Sequence, residues 1–321
     1  MAEKYGIQSV CAKFCETVKS FYDKKNVAKG DKFFMQLMHE MADDNVNDDD
    51  DDDEEEEEYK LFKDEVTTNS LYPVKPFYRW LATKLFHWIY NDIHPSCSHS
   101  RLENLNEIES DFNTSIKYRV EKLQEFIKVC EATFTADNVC DGVEKCFCDN
   151  TMDSYTRITC LKNLNTTRLA VHMDLTNDLL AHLTKGDILK LLGFRKTVGS
   201  LEQLPPDLVN LWTSYQALHN INARITVGAR ALAKHCHRSK DKWWGESTGN
   251  EHAKNRHALI ILQRIFRNIV WLNIHVLPHE MHVLEIRCKE GYGLRWSHDG
   301  KFFRGFLEPQ MLDGHKNGWV H

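Results

Sequence analysis

The chain has 321 residues, 42% of them apolar and 11% aromatic, which is ample for a buried core and excludes a disordered or fibrous protein. Its formal charge of −6 hides an asymmetry: the unbroken acidic run Asp48–Glu58 outweighs an excess of +5 elsewhere, and residues 201–321, with 16 Lys and Arg against 11 Asp and Glu, carry all of that excess. No apolar run approaches the roughly 18 residues of a membrane-spanning helix. The start of the chain lacks a basic flank and apolar stretch, so a soluble protein of the cytoplasm and/or nucleus is expected.

Ile7, Cys11, Phe14, Cys15, Val18 and Tyr22 form a stripe at helical spacing, and Phe33, Phe34, Leu37, Met38 and Met41 repeat it after Gly30. Residues 1–42 therefore read as a helix pair. Residues 43–70 contain the acidic run, whose self-repulsion and low apolar content predict a solvated, disordered segment. Residues 71–200 read as a helical domain. Pro76 opens a helix lined by Phe77, Trp80, Leu81, Leu85, Trp88 and Ile89. A second series, from Leu105 through Ile116 and Val120 to Ile127, fits one long helix or two broken near Asn113. Residues 134–174 give no clear pattern. Leu175–Leu192 reads as two short helices closed by Gly193.

Residues 201–321 hold 11 of the 17 histidines and are expected to pack with 71–200 as one unit. Pro205-Pro206-Asp207 starts one helix, Ile225–His237 forms another, and Glu251–Leu272 is the most apolar helix of the chain. After Pro278 the pattern alternates, and Asp299-Gly300 between two alternating runs signals a hairpin. Strands at about 282–288, 292–297 and 302–307 follow. The fold expected is mainly α, a multi-helix domain with a small C-terminal three-stranded antiparallel meander.

A two-residue turn at Asp299-Gly300 pairs Trp296 with Phe303 and sets Arg295 opposite Arg304, and a three-residue loop at Glu290 to Tyr292 adds Arg287 to the same row. Opposed like charges need carboxylates or an anionic ligand to compensate. Arg287, Arg295 and Arg304, with Tyr292 and Trp296 beside them, are therefore the candidate anion-binding residues, and Phe302 and Phe306 add aromatic surface. The competing reading is that Glu285, Glu290 and Glu308 pair with these arginines on an ordinary face.

His275, His279 and His282 form the one histidine group with a spacing that invites zinc, although Pro278 rules out the helix of a His-Glu-x-x-His motif and no metal is favoured. Cys140, Cys146, Cys148 and Cys160 depart from zinc-ribbon spacings. Arg230-x4-His235 resembles the arginine-to-histidine spacing of some helical ribonucleases, a match that this composition produces about once by chance. Phosphate-loop, dinucleotide, nucleophile-elbow, kinase and EF-hand signatures are missing. The segment Gly305–His321 is expected to order against the meander. The favoured reading is a non-enzymatic binding or scaffold protein whose Arg and aromatic sheet holds an anionic partner: RNA, a phosphoprotein or a phosphorylated ligand. The alternative is a hydrolase or nuclease using Arg230 and His235, or a metal at His275, His279 and His282.

Overall fold

The computed structural model describes residues 2–39, 53–95, 105, 107, 111–132, 169–238 and 242–310. The acidic residues up to 52, the cysteines 140, 146, 148 and 160, and the closing residues 311–321 lie outside the described set. The helices are α1 (Ala2–Lys29), α2 (Lys32–Met38), α3 (Asp53–Asn69), α4 (Phe77–Asn91), α5 (Thr114–Ala132), α6 (169–182), α7 (Lys185–Leu191), α8 (Leu208–Gln216), α9 (Val227–His235) and α10 (Glu251–Arg267). Four strands follow: β1 (Ile269–Leu277), then, after a 3-10 turn over Pro278–Glu280, β2 (Met281–Cys288), β3 (Gly293–Ser297) and β4 (Phe303–Leu307). The protein is mainly α, and its antiparallel sheet has four strands in the order β1-β2-β3-β4 rather than three.

The additional strand comes from the end of the expected Glu251–Leu272 helix. Helix α10 starts where Asn250 accepts the Ala253 N–H on its side chain. It stops at Arg267, and the Asn268 N–H turns back to the Ile265 carbonyl. Beyond it, Ile269-Val-Trp-Leu-Asn-Ile-His-Val-Leu is a β-branched and aromatic run whose apolar positions happened to continue the helical stripe of Ile261, Ile265 and Ile269.

A second correction concerns residues 43–70. From Asp53 onward the chain is helical, because Tyr59, Phe62 and Val66 of α3 fall on one face and are buried. Phe62 stacks on Trp212 at 5.0 Å and meets Phe266 edge-on at 5.1 Å. Burying such a ring contributes about 1.5–3 kcal/mol, which outweighs the repulsion at the solvated end of the helix.

The N-terminal helices pack through aromatic contacts, Phe14 on Phe86 and Tyr22 stacked on Phe34. Helix α7 is set by a capping box between Thr184 and Asp187, and Gly193 takes the expected left-handed conformation after it. The helical part joins the C-terminal part through Tyr72, which donates to the Pro206 carbonyl at 2.7 Å, and the Lys75–Asp207 ion pair at 2.8 Å.

One face of the sheet carries Leu272, Ile274, Leu284, Ile286, Leu294, Trp296, Phe303 and Phe306 and closes the core over α8, α9 and α10. Tyr215 of α8 lies at its centre, edge-on to Phe303 at 4.8 Å, and donates to the Ala258 carbonyl of α10 at 2.7 Å. The opposite face, directed away from this core, carries the polar residues.

Candidate active site

Strand alternation places Asn273 and His275 of β1, Val283, Glu285 and Arg287 of β2, and Arg295 and Ser297 of β3 on that second face. In register, Asn273 lies opposite Glu285, which lies opposite Arg295; His275 lies opposite Val283, which lies opposite Ser297.

Glu285 is the hub. The residue is 2% exposed, and its carboxylate takes three partners. Arg287 Nε donates to Oε1 at 2.6 Å, Arg295 Nη2 donates to Oε2 at 2.9 Å, and His275 Nε2 lies 3.2 Å from Oε2. Burial alone raises a carboxyl pKa, but the His275 hydrogen bond and the two guanidinium charges outweigh it and hold Glu285 well below the usual carboxylate range. Glu285 is therefore ionised and acts as an anchor.

Its three partners differ in what they have left to offer. Arg287 is consumed: its Nη1 donates to the Gly291 and Glu308 carbonyls at 2.6 and 3.0 Å, tying the β2–β3 turn to the segment after β4. His275 and Arg295 keep side-chain surface, 14% and 27%. With Nε2 engaged by Glu285, the Nδ1 nitrogen of His275 remains for chemistry.

A wall comes from the loop before α8. Backbone bonds from Arg195 to Leu272, Leu201 to Ile274 and Val276 to Gly199 zip this loop onto the outer edge of β1. Gly199 has φ +85°, as the third position of a tight turn requires. Within the turn Ser200 donates to Asn273 Oδ1 at 2.9 Å, and Asn273 Nδ2 donates to Thr197 Oγ1 at 2.8 Å. Two hydroxyls thus stand beside the cluster. Their long sequence separation from β1 left no signal in the sequence.

The expected anion site is rearranged. Trp296 does pair with Phe303, but Arg295 lies opposite Gly305 because an irregularity inserts Arg304 between them. Gly305 supports it with φ +130°. The opposed arginines are thereby separated: Arg295 turns to Glu285, and Arg304 is exposed. Tyr292 is stacked on Trp243 at 4.3 Å, and Trp296 is fully buried with Nε1 directed at the Leu211 carbonyl, so both rings belong to the core. Phe306 is buried too.

The three histidines do not converge. His275 and His282 occupy successive registers of β1–β2 and so project from opposite faces, while His279 sits in the exposed turn with φ +65°. His282 instead approaches His298. Among the described residues no group of three His, Cys, Asp or Glu side chains is placed to hold a metal.

Arg230 and His235 also diverge, since five residues on a helix turn through about 140°. Arg230 is exposed on α9, whereas His235 is buried, with Nδ1 2.6 Å from Glu308 and the ring against Trp244 and Phe306.

Residues 215–308 match the family model of the CdiA C-terminal tRNase toxin domain. The match runs from Tyr215 at the core centre to Glu308, and takes in α9, α10 and the whole sheet, though it covers under a third of the chain. His275, Glu285, Arg287 and Arg295 all fall inside the tRNase match, and Thr197 and Ser200 fall outside it. A tRNase is an enzyme, so the reading of this chain as a non-enzymatic binding or scaffold protein is overturned, and the nuclease alternative fits the tRNase match better. No curated protein and no solved structure matches the chain. Among the described residues no helix is long and apolar enough to cross a membrane.

Proposed function

We propose that this protein is a ribonuclease that cleaves tRNA, with the polar face of the C-terminal sheet as its reaction site. The observation that carries the reading is that the tRNase match spans the four strands on which His275, Glu285 and Arg295 meet.

Cleavage of an RNA strand at a 2′-hydroxyl needs a group to take that proton, a cation to stabilise the charge gathering on the phosphate, and a proton for the departing 5′-oxygen. His275 is the proton-transfer group: it takes the 2′-hydroxyl proton as the P–O2′ bond forms, and the resulting imidazolium returns a proton to the 5′-oxygen as the P–O5′ bond breaks. Glu285 fixes the ring through Nε2 and leaves Nδ1 as the nitrogen that exchanges the proton, the role that a buried carboxylate plays beside an imidazole in nucleophilic hydrolases. Arg295 is the cation. Its guanidinium is anchored by Nε and Nη2 on one oxygen of Glu285, which pre-orients the remaining donors towards a phosphate. Glu285 does not serve as the base, because two guanidiniums hold it ionised and its oxygens are occupied. The cluster of two arginines and one carboxylate keeps a net positive charge, and the +5 of residues 201–321 adds an attractive field for a polyanion.

End-labelled tRNA incubated with the purified full chain tests the proposal. Discrete fragments whose 5′ pieces end in a 2′,3′-cyclic phosphate are the expected result. Intact tRNA across a range of tRNA species would refute it.

A further inference from the structure

Four aromatic residues were legible as stacking surface in the sequence, and three of them, Tyr292, Trp296 and Phe306, are spent in the core. Phe302 is different: it is 62% exposed, just before β4, on a hairpin held in place by Ser297 and Asp299. A singly exposed apolar ring is ordinary by itself, and what sets Phe302 apart is its place in the sheet and the cation beside it.

Its neighbour Phe303 points into the core, so Phe302 projects from the opposite face, the face of the cluster. The backbone N–H of Ser297 donates to the Phe302 carbonyl, which extends the cross-strand row His275, Val283, Ser297 to Phe302. Three strand spacings of about 4.8 Å set Phe302 about 14 Å from His275 along one sheet face. By the same alternation Arg304 emerges on the side of Phe302, and its guanidinium carbon lies 5.9 Å from the Phe302 ring centroid. No carboxylate pairs with Arg304 among the described residues.

From this we infer a second binding site: Phe302 and Arg304 form a subsite that stacks an unpaired nucleobase and contacts its phosphate, a short run of nucleotides away from the bond cleaved at His275. A flat apolar ring beside an unneutralised guanidinium on an open edge matches both halves of a nucleotide, the π-face of the base and the anionic backbone. The inference rests on the ribonuclease reading for the identity of the strand, but its test does not depend on cleavage.

The probe is a single-stranded RNA oligomer, 2′-O-methylated so that it is not cut, carrying one 2-aminopurine whose fluorescence falls on stacking. The wild-type chain is expected to quench it, and Phe302→Ala to abolish the quenching and weaken binding about 5- to 150-fold, the range for one base–aromatic stack. Phe302→Tyr is expected to keep the signal and Phe302→Leu to lose it. Arg304→Ala is expected to weaken binding and reduce its salt dependence. Because Phe302 is exposed, these variants fold, and an unchanged melting temperature checks it. Quenching retained in Phe302→Ala, or equal affinity of wild type and Phe302→Leu, overturns the inference. His275→Ala is the separating control: it should lose tRNA cleavage and keep the quenching, so quenching by a wild-type chain that cuts nothing sustains the subsite while removing the nuclease.

Discussion

Replacing Glu285 with Gln removes one charge from the most buried ionic group of the site and leaves two guanidiniums facing each other. Arg287 is 4% exposed as a side chain, so its charge cannot be recovered by water, and the amide of Gln offers only one accepting oxygen in place of the two that Arg287 and Arg295 now use. Breaking a buried pair by removing one partner costs about 3–5 kcal/mol. At about 2–4 °C per kcal/mol for a chain of 150–250 residues, and somewhat less here, a drop in Tm on the order of 10 °C is expected by calorimetry or circular dichroism. The pH dependence adds an independent check. Glu285 ionises more readily in the folded than in the unfolded chain, so its contribution is complete above the unfolded carboxyl pKa of about 4.3 and is lost as pH falls towards the folded value. Stability of the wild type should therefore decline in acid more steeply than that of Glu285→Gln. Adding Arg287→Met to Glu285→Gln removes the stranded charge and should recover part of the loss. A Glu285→Gln variant as stable as wild type at pH 7, with the same acid dependence, would refute the hub role.

Other outcomes separate structure from chemistry. His235→Ala leaves Glu308 without its 2.6 Å partner and should cost about 1–3 kcal/mol, while Arg230→Ala should change neither stability nor cleavage. Loss of cleavage in a folded Arg230→Ala would restore the helical pair as the reactive centre. Burial opposes ionisation of Glu308, but the His235 hydrogen bond prevails and lowers its pKa, so this pair too should weaken in a urea titration as pH falls below the carboxyl range. Gly228→Ala would set a Cβ 2.4 Å from the ring of Tyr215, which is fully buried and bonded to Ala258, and overpacking should destabilise the fold by about 1–3 kcal/mol or more. A fully stable Gly228→Ala protein would mean that Tyr215 is not fixed as described.

The sequence made much of this fold legible where two signals agreed. Asp299-Gly300 with flanking alternation placed three strands to within a residue or two, and Gly193 correctly closed the helices before it. It failed where one signal served two structures: Ile265, Ile269 and Leu272 fit a helical period, yet Ile269 and Leu272 belong to β1, and only the Asn268 break and the β-branched run mark the change. Eleven acids similarly concealed the Tyr59, Phe62 and Val66 stripe of α3. Arg287, Arg295 and Glu285 were each visible, and so was the pairing of arginines with a glutamate. What needed the structure was β1, since His275 reaches Glu285 only once that strand exists, and Gly305, whose conformation lets Arg304 leave the row. Thr197 and Ser200 reach the site through backbone bonds that no local pattern encodes.

On the function proposed above, His275, oriented by Glu285, cleaves tRNA. Wild-type chain and His275→Ala, purified in parallel, matched for melting temperature and incubated with total tRNA, test it most directly. Discrete fragments are expected from the wild type, and a rate about 10²–10⁴-fold lower from the variant. A His275→Ala protein that cuts tRNA at the wild-type rate would contradict it.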